Sequence, residues 1–199
     1  MASLFQEEIN LQLPDSDIRY YPNFLHSEKA DFYFDILRKN VVWQHDDITI
    51  FGKTYAQPRL TALFGNNGKP YSYSNITMQP YEFTPELLEI KNKTEAKTAV
   101  VFSTCLLNLY RDGNDSNGWH ADNEKELGKN PVIASITLGQ ERFFHLKHRK
   151  RKESKHKLLL EHGSLLIMEG KTQQHWLHQI AKTKKPIGER INLTFRLIK

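Results

Sequence analysis

The second half of the chain consists of short apolar segments separated by polar turns, a pattern that predicts β-strands. β-branched and apolar residues concentrate in segments 100–109, 132–138, 164–168 and 191–198. Short strands separated in this way are typical of a β-sandwich or a jelly roll. We therefore predict a β-rich core over the second half of the chain.

The first half carries the signals of two helices. Residues 27–39 are predicted as a helix with Ser27 as its N-cap, and residues 85–93 as a second helix with Pro85 in its first turn. The apolar positions behind these predictions are Phe32, Ile36 and Leu37 in the first helix, and Leu87, Leu88 and Ile90 in the second. Helices packed outside the sheet would make the fold α+β.

Composition limits the class of protein. A chain of 199 residues fits one domain, and it has no apolar segment approaching the roughly 18 to 20 residues that cross a bilayer. The first ten residues lack a basic start followed by an apolar run, so no secretory signal is predicted. Cys105 is the only cysteine, which excludes an internal disulfide. These points favour the cytoplasm and no membrane partner, and a monomer is the default expectation.

Positive charge is the first hint of a partner. The formal net charge is +5 and the sequence pI is about 9.2, which favours an anionic partner weakly. Residues 147–157 contain one acid among many basic residues. Taken alone, this run is most simply interpreted as a solvated, mobile loop.

The last predicted strand alternates completely between apolar and polar residues. One face carries Ile191, Leu193, Phe195 and Leu197, and the other carries Arg190, Asn192, Thr194 and Arg196. The polar face fits either a half-exposed strand or a polar pocket inside a sandwich, where guanidinium groups would hold an anionic ligand. The segment 106–110 offers a matching face with Asn108 and Tyr110.

A possible metal site follows the turn-rich segment 112–116. His120 and Asp122 are two residues apart, so in extended backbone their side chains point to the same side. A second histidine would complete a face of two imidazoles and one carboxylate, which suits non-haem iron(II). His175 and His178 compete for this position, and His178 is preferred because it lies just before the turn to the last strand.

Together these residues resemble the catalytic core of the AlkB-type dioxygenases. The matching motifs are His120-x-Asp122, His178, Asn108-x-Tyr110 and Arg190-x-Asn192-x-Thr194-x-Arg196. The similarity extends from about residue 48 to residue 199 and is closest to the branch that repairs double-stranded DNA. The residues behind that branch are Phe51-Gly52-Lys53, Pro58-Arg59, Tyr71-Ser72-Tyr73-Ser74 and His162-Gly163-Ser164-Leu165-Leu166.

The resemblance implies a double-stranded β-helix in a single dioxygenase domain over residues 1–199. Residues 48–80 would form a nucleotide-recognition lid, and residues 100–199 the catalytic core. Iron(II), 2-oxoglutarate and O₂ would be the cofactors. The iron ligands would be His120, Asp122 and His178. The residues for 2-oxoglutarate would be Asn108, Tyr110, Arg190, Asn192 and Arg196, with one arginine on the distal carboxylate and the other at the metal-bound end.

The implied reaction is oxidative demethylation of DNA bases of the 1-methyladenine and 3-methylcytosine type. It would be coupled to decarboxylation of 2-oxoglutarate to succinate and would release formaldehyde. Three alternatives remain open: the same chemistry on RNA or single strands, a protein or small-molecule hydroxylase on the same fold, and a nucleic-acid-binding module without catalysis. The complete set of ligands and arginines argues against the last of these.

The resemblance also assigns the substrate side. The residues expected to contact the substrate are Phe51, Arg59, Tyr71, Tyr73, Ser74 and Glu124. Tyr71 and the His120 ring would enclose a flipped base, Glu124 would contact its exocyclic amino group, and Phe51 would fill the gap in the duplex. The residues expected to grip the DNA backbone are Lys147, Arg149, Lys150, Arg151 and Lys152. Asn123 departs from the family, whose members usually carry an aspartate there.

Overall fold

The computed structural model describes residues 8–50, 53–66, 68, 71–73 and 76–199 of the chain. The strands before the second helix are β1 Ile9–Asn10, β2 Asp17–Tyr21, β3 Asp47–Ile50, β4 Lys53–Ala56, β5 Leu60–Gly65, β6 Tyr71–Tyr73 and β7 Ile76–Met78. Those after it are β8 Thr104–Tyr110, β9 Asn117–His120, β10 Ile133–Gly139, β11 Arg142–His148, β12 Lys155–Leu160, β13 Leu165–Glu169, β14 Trp176–Ile180 and β15 Arg190–Arg196. The helices are α1 Ser27–Asn40, α2 Pro85–Thr98 and α3 Thr172–His175, with a 3₁₀ turn at Lys125–Leu127.

Two antiparallel sheets form the core of the fold. The larger is seven-stranded, in the order β1-β2-β13-β10-β15-β8-β5, and the smaller is four-stranded, in the order β12-β11-β14-β9. The hairpins β3–β4 and β6–β7 are separate two-stranded sheets. This arrangement confirms the predicted jelly-roll core. In the described part of the chain, no helix has the length and apolarity needed to cross a bilayer.

The larger sheet is buried on both faces, so the protein has two apolar cores. The first core lies between α1, α2 and the larger sheet, and contains Leu37, Ile90 and Leu193. The second core lies between the two sheets and contains Leu106, Met168 and Trp176. The helices therefore cover the larger sheet from outside, as predicted. Along each strand of this sheet, every second side chain points toward the helices, and the side chains between them point into the space between the two sheets.

The first helix confirms the predicted segment but corrects two details. Its N-cap is His26, whose side chain makes no capping hydrogen bond, so the expected cap at Ser27 was wrong. Phe32 is 48% exposed, whereas Ala30, Tyr33 and Leu37 are buried. Residues separated by three and four positions share a helix face, so the buried stripe is the one through Tyr33, and Phe32 lies outside it.

The second helix runs five residues beyond the predicted end at residue 93, to Thr98. Thr84 caps it by accepting a hydrogen bond from the Leu87 amide, with Pro85 in the first turn as expected. Threonine has low helix propensity, so the last turns of the helix, with Thr94 and Thr98, carry only a weak helix signal. In the structure the Thr94 hydroxyl donates to the Ile90 carbonyl at 2.8 Å, and the side chain is buried, so tertiary packing outweighs propensity.

The loop between β8 and β9 is organised by one carboxylate. Asp115 accepts three hydrogen bonds from Arg111, from the backbone amide at 2.9 Å, Nε at 2.8 Å and Nη2 at 2.9 Å. Arg142 Nη2 donates to the Asp115 carbonyl at 3.1 Å, which ties the loop to β11. The loop joins strands that carry Asn108 and His120, so its geometry sets where those side chains meet.

Replacing Asp115 by asparagine should lower the free energy of unfolding at pH 7 by about 1–3 kcal/mol, because charge-assisted hydrogen bonds are lost. Burial would raise the pKa of Asp115, but the bonds from Arg111 outweigh burial and lower it. Because the pKa of Asp115 is lower in the folded protein than in the unfolded chain, its ionised form stabilises the fold at pH values above the usual carboxyl pKa near 4. This stabilisation is lost as the pH falls through the pKa of the folded protein. Urea unfolding should therefore show a smaller difference at pH 3. Asp112→Asn, at an exposed position, is the control. An equal difference at both pH values would contradict this account.

Candidate active site

A cavity of about 220 Å³ lies between the two sheets. Strand β15 contributes Arg190, Asn192, Thr194 and Arg196, which are its four polar residues. Strand β8 contributes Leu106, Asn108 and Tyr110. The polar face of β15 is thus the wall of an interior pocket, and the alternative of a half-exposed strand with a solvated outer face is wrong.

The predicted metal residues meet at this cavity. Potential ligand atoms of His120, Asp122 and His178 all lie within 4.8 Å of one another. His120 ends β9 and lies opposite His178 of β14 in the antiparallel register, with the two ring centroids 4.3 Å apart. The structure places His175 at the end of α3, one residue before β14 begins. The two competing histidines therefore do not share a strand, and His178 is the one at the cavity.

Hydrogen bonding sets the tautomer of His120. Its Nδ1 lies 2.7 Å from the Gly118 carbonyl oxygen, which can only accept a hydrogen bond. Nδ1 must therefore carry the proton, and Nε2 keeps its lone pair. Asn117 Nδ2 donates to Nε2 at 3.2 Å, so the lone pair has a weak partner in the absence of a metal. This is the state in which an imidazole binds a cation.

The protonation states of the other two residues also suit a cation. Burial would raise the pKa of Asp122, but Arg196 and the two imidazoles outweigh burial and lower it to about 2. Burial, together with the neighbouring His120 ring, lowers the pKa of His178 to about 3. At neutral pH the site therefore presents one carboxylate and a neutral imidazole. Arg196 Nη2 donates to Asp122 Oδ1 at 2.7 Å and balances the buried negative charge.

Sequence reasoning missed one residue that holds Asp122. The side chain of Gln173, which is buried in α3, accepts a hydrogen bond from the Asp122 backbone amide at 2.9 Å through Oε1. Its Nε2 lies 3.5 Å from Met168 Sδ. The residue is 51 positions from Asp122, and no motif in the sequence marks it.

Replacing Gln173 by leucine should weaken metal binding by about 10- to 100-fold, the usual cost of removing a group that orients a ligand. The Asp122 amide would be left buried without an acceptor, so the carboxylate would lose its fixed position. Titration with Mn²⁺, followed by electron paramagnetic resonance, measures this affinity. The matched control is Gln174→Leu, at an exposed position in the same short helix. Equal affinities for the two variants would refute the role of Gln173.

The two pocket arginines have different surroundings. Arg196 is paired with Asp122, as described above. Arg190 Nη2 donates to Thr137 Oγ1 at 2.9 Å, whereas Nε and Nη1 are buried and make no hydrogen bond. Burial lowers the pKa of Arg190 to about 10, although the nearby Tyr110 opposes the shift. Arg190 remains a cation at neutral pH, and two of its nitrogens still have N–H groups to satisfy, which is the arrangement expected of an anion site.

The pocket amides differ in what they leave free. Arg59 Nε donates to Asn108 Oδ1 at 2.7 Å, so the Asn108 NH₂ group is directed away from Arg59. Asn192 Nδ2 instead donates to Ser135 Oγ at 2.7 Å and to the Ile136 carbonyl at 3.0 Å. Asn192 therefore has no donor left for a ligand. Arg59, expected at the substrate, fixes a residue expected at the cofactor.

Glu124 lies on the rim of the cavity. Its Oε2 is buried and accepts no hydrogen bond, although the residue is partly exposed. Asn123 beside it is exposed. Of the expected lid residues, Phe51 and Ser74 lie outside the described residues. The backbones of Tyr71 and Tyr73 lie in β6, which pairs with β7.

The basic run is only partly a loop, which corrects the prediction. Lys147 belongs to β11, and β12 begins at Lys155, so residues 149–154 form the connection. Arg151 Nη2 pairs with Asp15 Oδ2 at 3.1 Å, whereas Lys147 Nζ lies 4.1 Å from the Trp119 ring centroid. The residues of the connection that are exposed and basic are Arg149, Lys150, Arg151 and Lys152.

Asp15, His148 and His175 form a second cluster of possible ligand atoms. The backbone amides of Lys150 and Arg151 donate to His148 Nδ1 at 3.1 Å and 3.0 Å. Nδ1 is therefore the unprotonated nitrogen, and Nε2, which lies 3.2 Å from Asp15 Oδ2, carries the proton. A protonated nitrogen does not bind a metal, so this cluster anchors the basic connection to the N-terminal segment.

Comparison with known proteins agrees with this geometry. The profile of the 2OG-Fe(II) oxygenase superfamily matches residues 17–196. The alpha-ketoglutarate-dependent dioxygenase alkB homolog 3 of Bos taurus is 41% identical over 191 residues, covering 89% of this chain and 64% of the relative. The DNA oxidative demethylase ALKBH2 of Arabidopsis thaliana is 36% identical over 214 residues, covering 92% of this chain and 67% of the relative. The chain thus spans about two thirds of the length of these relatives.

A solved structure supports the fold. The structure of OsALKBH1 superposes with a TM-score of 0.66 at 19% sequence identity, covering 96% of this chain and all of that one. At this identity the likeness concerns the fold alone. The family profile, however, spans residues 17–196 and so includes the residues that line the cavity. From its sequence and its cavity, the chain belongs to the AlkB family of the 2OG-Fe(II) oxygenase superfamily.

Proposed function

We propose that the chain is an iron(II)- and 2-oxoglutarate-dependent dioxygenase that removes N-alkyl groups from nucleic-acid bases. The observation that carries the proposal is the content of the cavity between the sheets. A face of two imidazoles and one carboxylate lies beside a buried, partly unsatisfied guanidinium and a buried carboxylate oxygen of Glu124 that accepts no hydrogen bond.

The donor set fits iron(II). Two neutral imidazole nitrogens and one carboxylate on a single face leave coordination positions open for other ligands, as in non-haem iron oxygenases. The protonated Nδ1 of His120 and the ionised Asp122 supply this set without any proton having to leave. His120, Asp122 and His178 would hold the ion.

The remaining polar groups fit 2-oxoglutarate. Arg190 Nε and Nη1, which make no hydrogen bond within the protein, are charged donors available to a carboxylate. The NH₂ group of Asn108, oriented by Arg59, offers a further donor to the same ligand. We assign Arg190 to the distal carboxylate and Arg196, which already contacts Asp122, to the metal-bound end. Together, bound iron and 2-oxoglutarate would activate O₂ and supply the oxidising power, while the residues of the chain orient the reactants.

Glu124 supports an aminopurine or aminopyrimidine substrate. In 1-methyladenine and 3-methylcytosine the methylated ring nitrogen is next to a carbon with an exocyclic amino group. An amino group that donates to the free Oε2 of Glu124 would satisfy that oxygen and fix the neighbouring methyl group. Hydroxylation of the methyl carbon gives a hydroxymethyl group on nitrogen, which loses formaldehyde and restores the base.

The nucleic-acid partner is supported by the exposed cations of residues 149–152 and by the names of the relatives, one of which is a DNA oxidative demethylase. A base within a duplex must leave the stack to reach an interior cavity, whereas a single strand avoids that cost. We propose DNA as the substrate, with RNA as the second candidate because the same cavity chemistry serves both.

Mass spectrometry of an oligonucleotide that carries one 1-methyladenine tests the proposal. The protein is incubated with iron(II), ascorbate and 2-oxoglutarate and with a single strand, a duplex or the RNA equivalent. Loss of the methyl mass only when 2-oxoglutarate is present is the expected result. His175→Ala, the control for removal of His178, should retain activity. Succinate formation with no methyl loss from any strand would refute nucleic-acid demethylation and favour another substrate for the same dioxygenase.

A further inference from the structure

We propose that the outward face of the four-stranded sheet binds single-stranded nucleic acid by stacking unpaired bases on exposed aromatic rings. The face is on the side of the sheet opposite the cavity, and it begins at Trp119, the residue before His120. The inference rests on the proposed function in one respect: it gives the substrate strand a contact surface beyond the active site.

Strand alternation defines which side chains form this face. Phe144, Leu146 and His178 point into the space between the sheets, as their burial shows. Their neighbours in sequence and in register therefore point outward. The outward side chains are Trp119 from β9, Phe143, His145 and Lys147 from β11, Lys155, Lys157 and Leu159 from β12, and Leu177 and Gln179 from β14.

The face is positively charged and lacks compensation. Its lysines are Lys147, Lys155 and Lys157, with His145 between them, and none of the nine described side chains just named is acidic. Lys157 lies opposite His145 in the register and contributes to lowering its pKa, second to burial. Lysines gathered without carboxylates repel one another, so an anionic partner is favoured over a neutral one.

Two aromatic rings give the face its selectivity. Trp119 is 39% exposed and Phe143 is 44% exposed, although large apolar side chains usually pack inward. Each ring has an ammonium group over it: Lys147 Nζ lies 4.1 Å from the Trp119 centroid, and Lys157 Nζ lies 3.7 Å from the Phe143 centroid. A phosphate can draw each lysine to the side of its ring, and the uncovered ring then offers a flat surface to a base.

This combination favours a single strand over a duplex. The bases of a duplex are already stacked on one another, so its outer surface offers phosphates to the lysines but nothing to the rings. An unpaired strand offers both, because every base has a face that can stack on an aromatic ring. The edge β-strand β9 contributes side chains both to this face and to the wall of the cavity. A single strand of nucleic acid could therefore run continuously from the face to the cavity.

The test is binding of fluorescein-labelled oligothymidylate of twelve nucleotides, without methylation, iron or 2-oxoglutarate, followed by fluorescence anisotropy. Phe143→Ala should weaken binding by about tenfold or more, the usual effect of removing a stacking residue. Phe143→Leu, which keeps an apolar side chain of similar size, should weaken it similarly. The matched control is Phe32→Ala, because Phe32 is an exposed ring on α1 with Lys29 Nζ 5.5 Å from its centroid.

Competition identifies the partner. Inorganic polyphosphate, which has charge but no bases, should be bound equally by wild-type protein and Phe143→Ala, whereas Lys157→Ala should weaken binding of both probes. The proposal is overturned if Phe143→Leu binds oligothymidylate with wild-type affinity. It is also overturned if Phe143→Ala weakens binding of a duplex of the same length as much as it weakens binding of oligothymidylate. If Phe143→Ala lost binding to anionic phospholipid vesicles but bound oligothymidylate like the wild type, the face would be assigned to a membrane and the proposal would be overturned. Oligothymidylate binding without demethylation of any substrate would refute the proposed function and leave this inference standing.

Discussion

Alanine in place of His178 is expected to abolish turnover while the fold persists. The imidazole is buried between the sheets, with its ring centroid 5.0 Å from that of Phe144, and we propose it as one of three metal ligands. Removing it leaves His120 and Asp122, which are too few to hold an ion in fixed geometry. The loss in metal affinity should exceed the roughly 10- to 100-fold cost of losing an orienting group.

His175→Ala is the matched control for this experiment. It removes the same kind of side chain three residues earlier, from the cluster around His148 that does not suit a metal. Mn²⁺ affinity by calorimetry and methyl removal by mass spectrometry should separate the two variants, whereas both should keep the circular dichroism spectrum of the wild type. Retained metal binding in His178→Ala, with loss in His175→Ala, would show that the metal is bound at the other cluster.

The second large effect is expected for Arg190. Arg190→Ala should weaken 2-oxoglutarate binding by at least about 100-fold, because two hydrogen bonds to a charged carboxylate contribute roughly 1.5 to 3 kcal/mol each. Arg190→Lys keeps the charge but loses the planar fork, so its affinity should be intermediate. Metal affinity should change little, since Arg190 contacts Thr137 and not a metal ligand.

Calorimetry with 2-oxoglutarate, using Mn²⁺ in place of iron, measures this effect. Arg38→Ala is the control, because Arg38 is an exposed arginine that pairs with Glu189, the residue next to Arg190. The assignment of the distal carboxylate fails if Arg190→Ala binds 2-oxoglutarate with wild-type affinity. The assignment also fails if wild-type protein and Arg190→Ala bind succinate, which keeps the distal carboxylate, with equal affinity.

Strong periodicity explains how much of the fold the sequence predicts. The alternation of β15 identifies both faces of the strand, and β8, β10 and β13 are apolar enough to be recognised within a few residues of their ends. Strand β2 gives only a weak signal, because its alternation of polar and apolar residues is confined to the five residues Asp17–Tyr21. It pairs with β13 through backbone contacts between residues more than 140 positions apart, which local patterns do not reveal.

Candidate site residues divide in the same way. His120, Asp122 and His178 are marked by spacing and residue type, and the structure brings them together. Partners that depend on distant contacts are not marked. The bond from Arg59 to Asn108 and the support of Asp122 by Gln173 join residues about 50 positions apart. Sequence reasoning therefore identifies chemical groups better than the hydrogen bonds that orient them.

Strand β15 has a consequence for how this protein can change. Its odd-numbered residues fill the apolar layer beneath the helices, and its even-numbered residues line the cavity. The same seven residues therefore determine both the packing of the core and the lining of the binding site. A shift by one residue would move Phe195 into the cavity and bury two guanidinium groups among hydrocarbons. An insertion or deletion of one residue that shifted β15 would thus destroy stability and ligand binding at once. Substitutions in the hairpins and edge strands can change specificity, because single residues there can vary without changing the packing of the core.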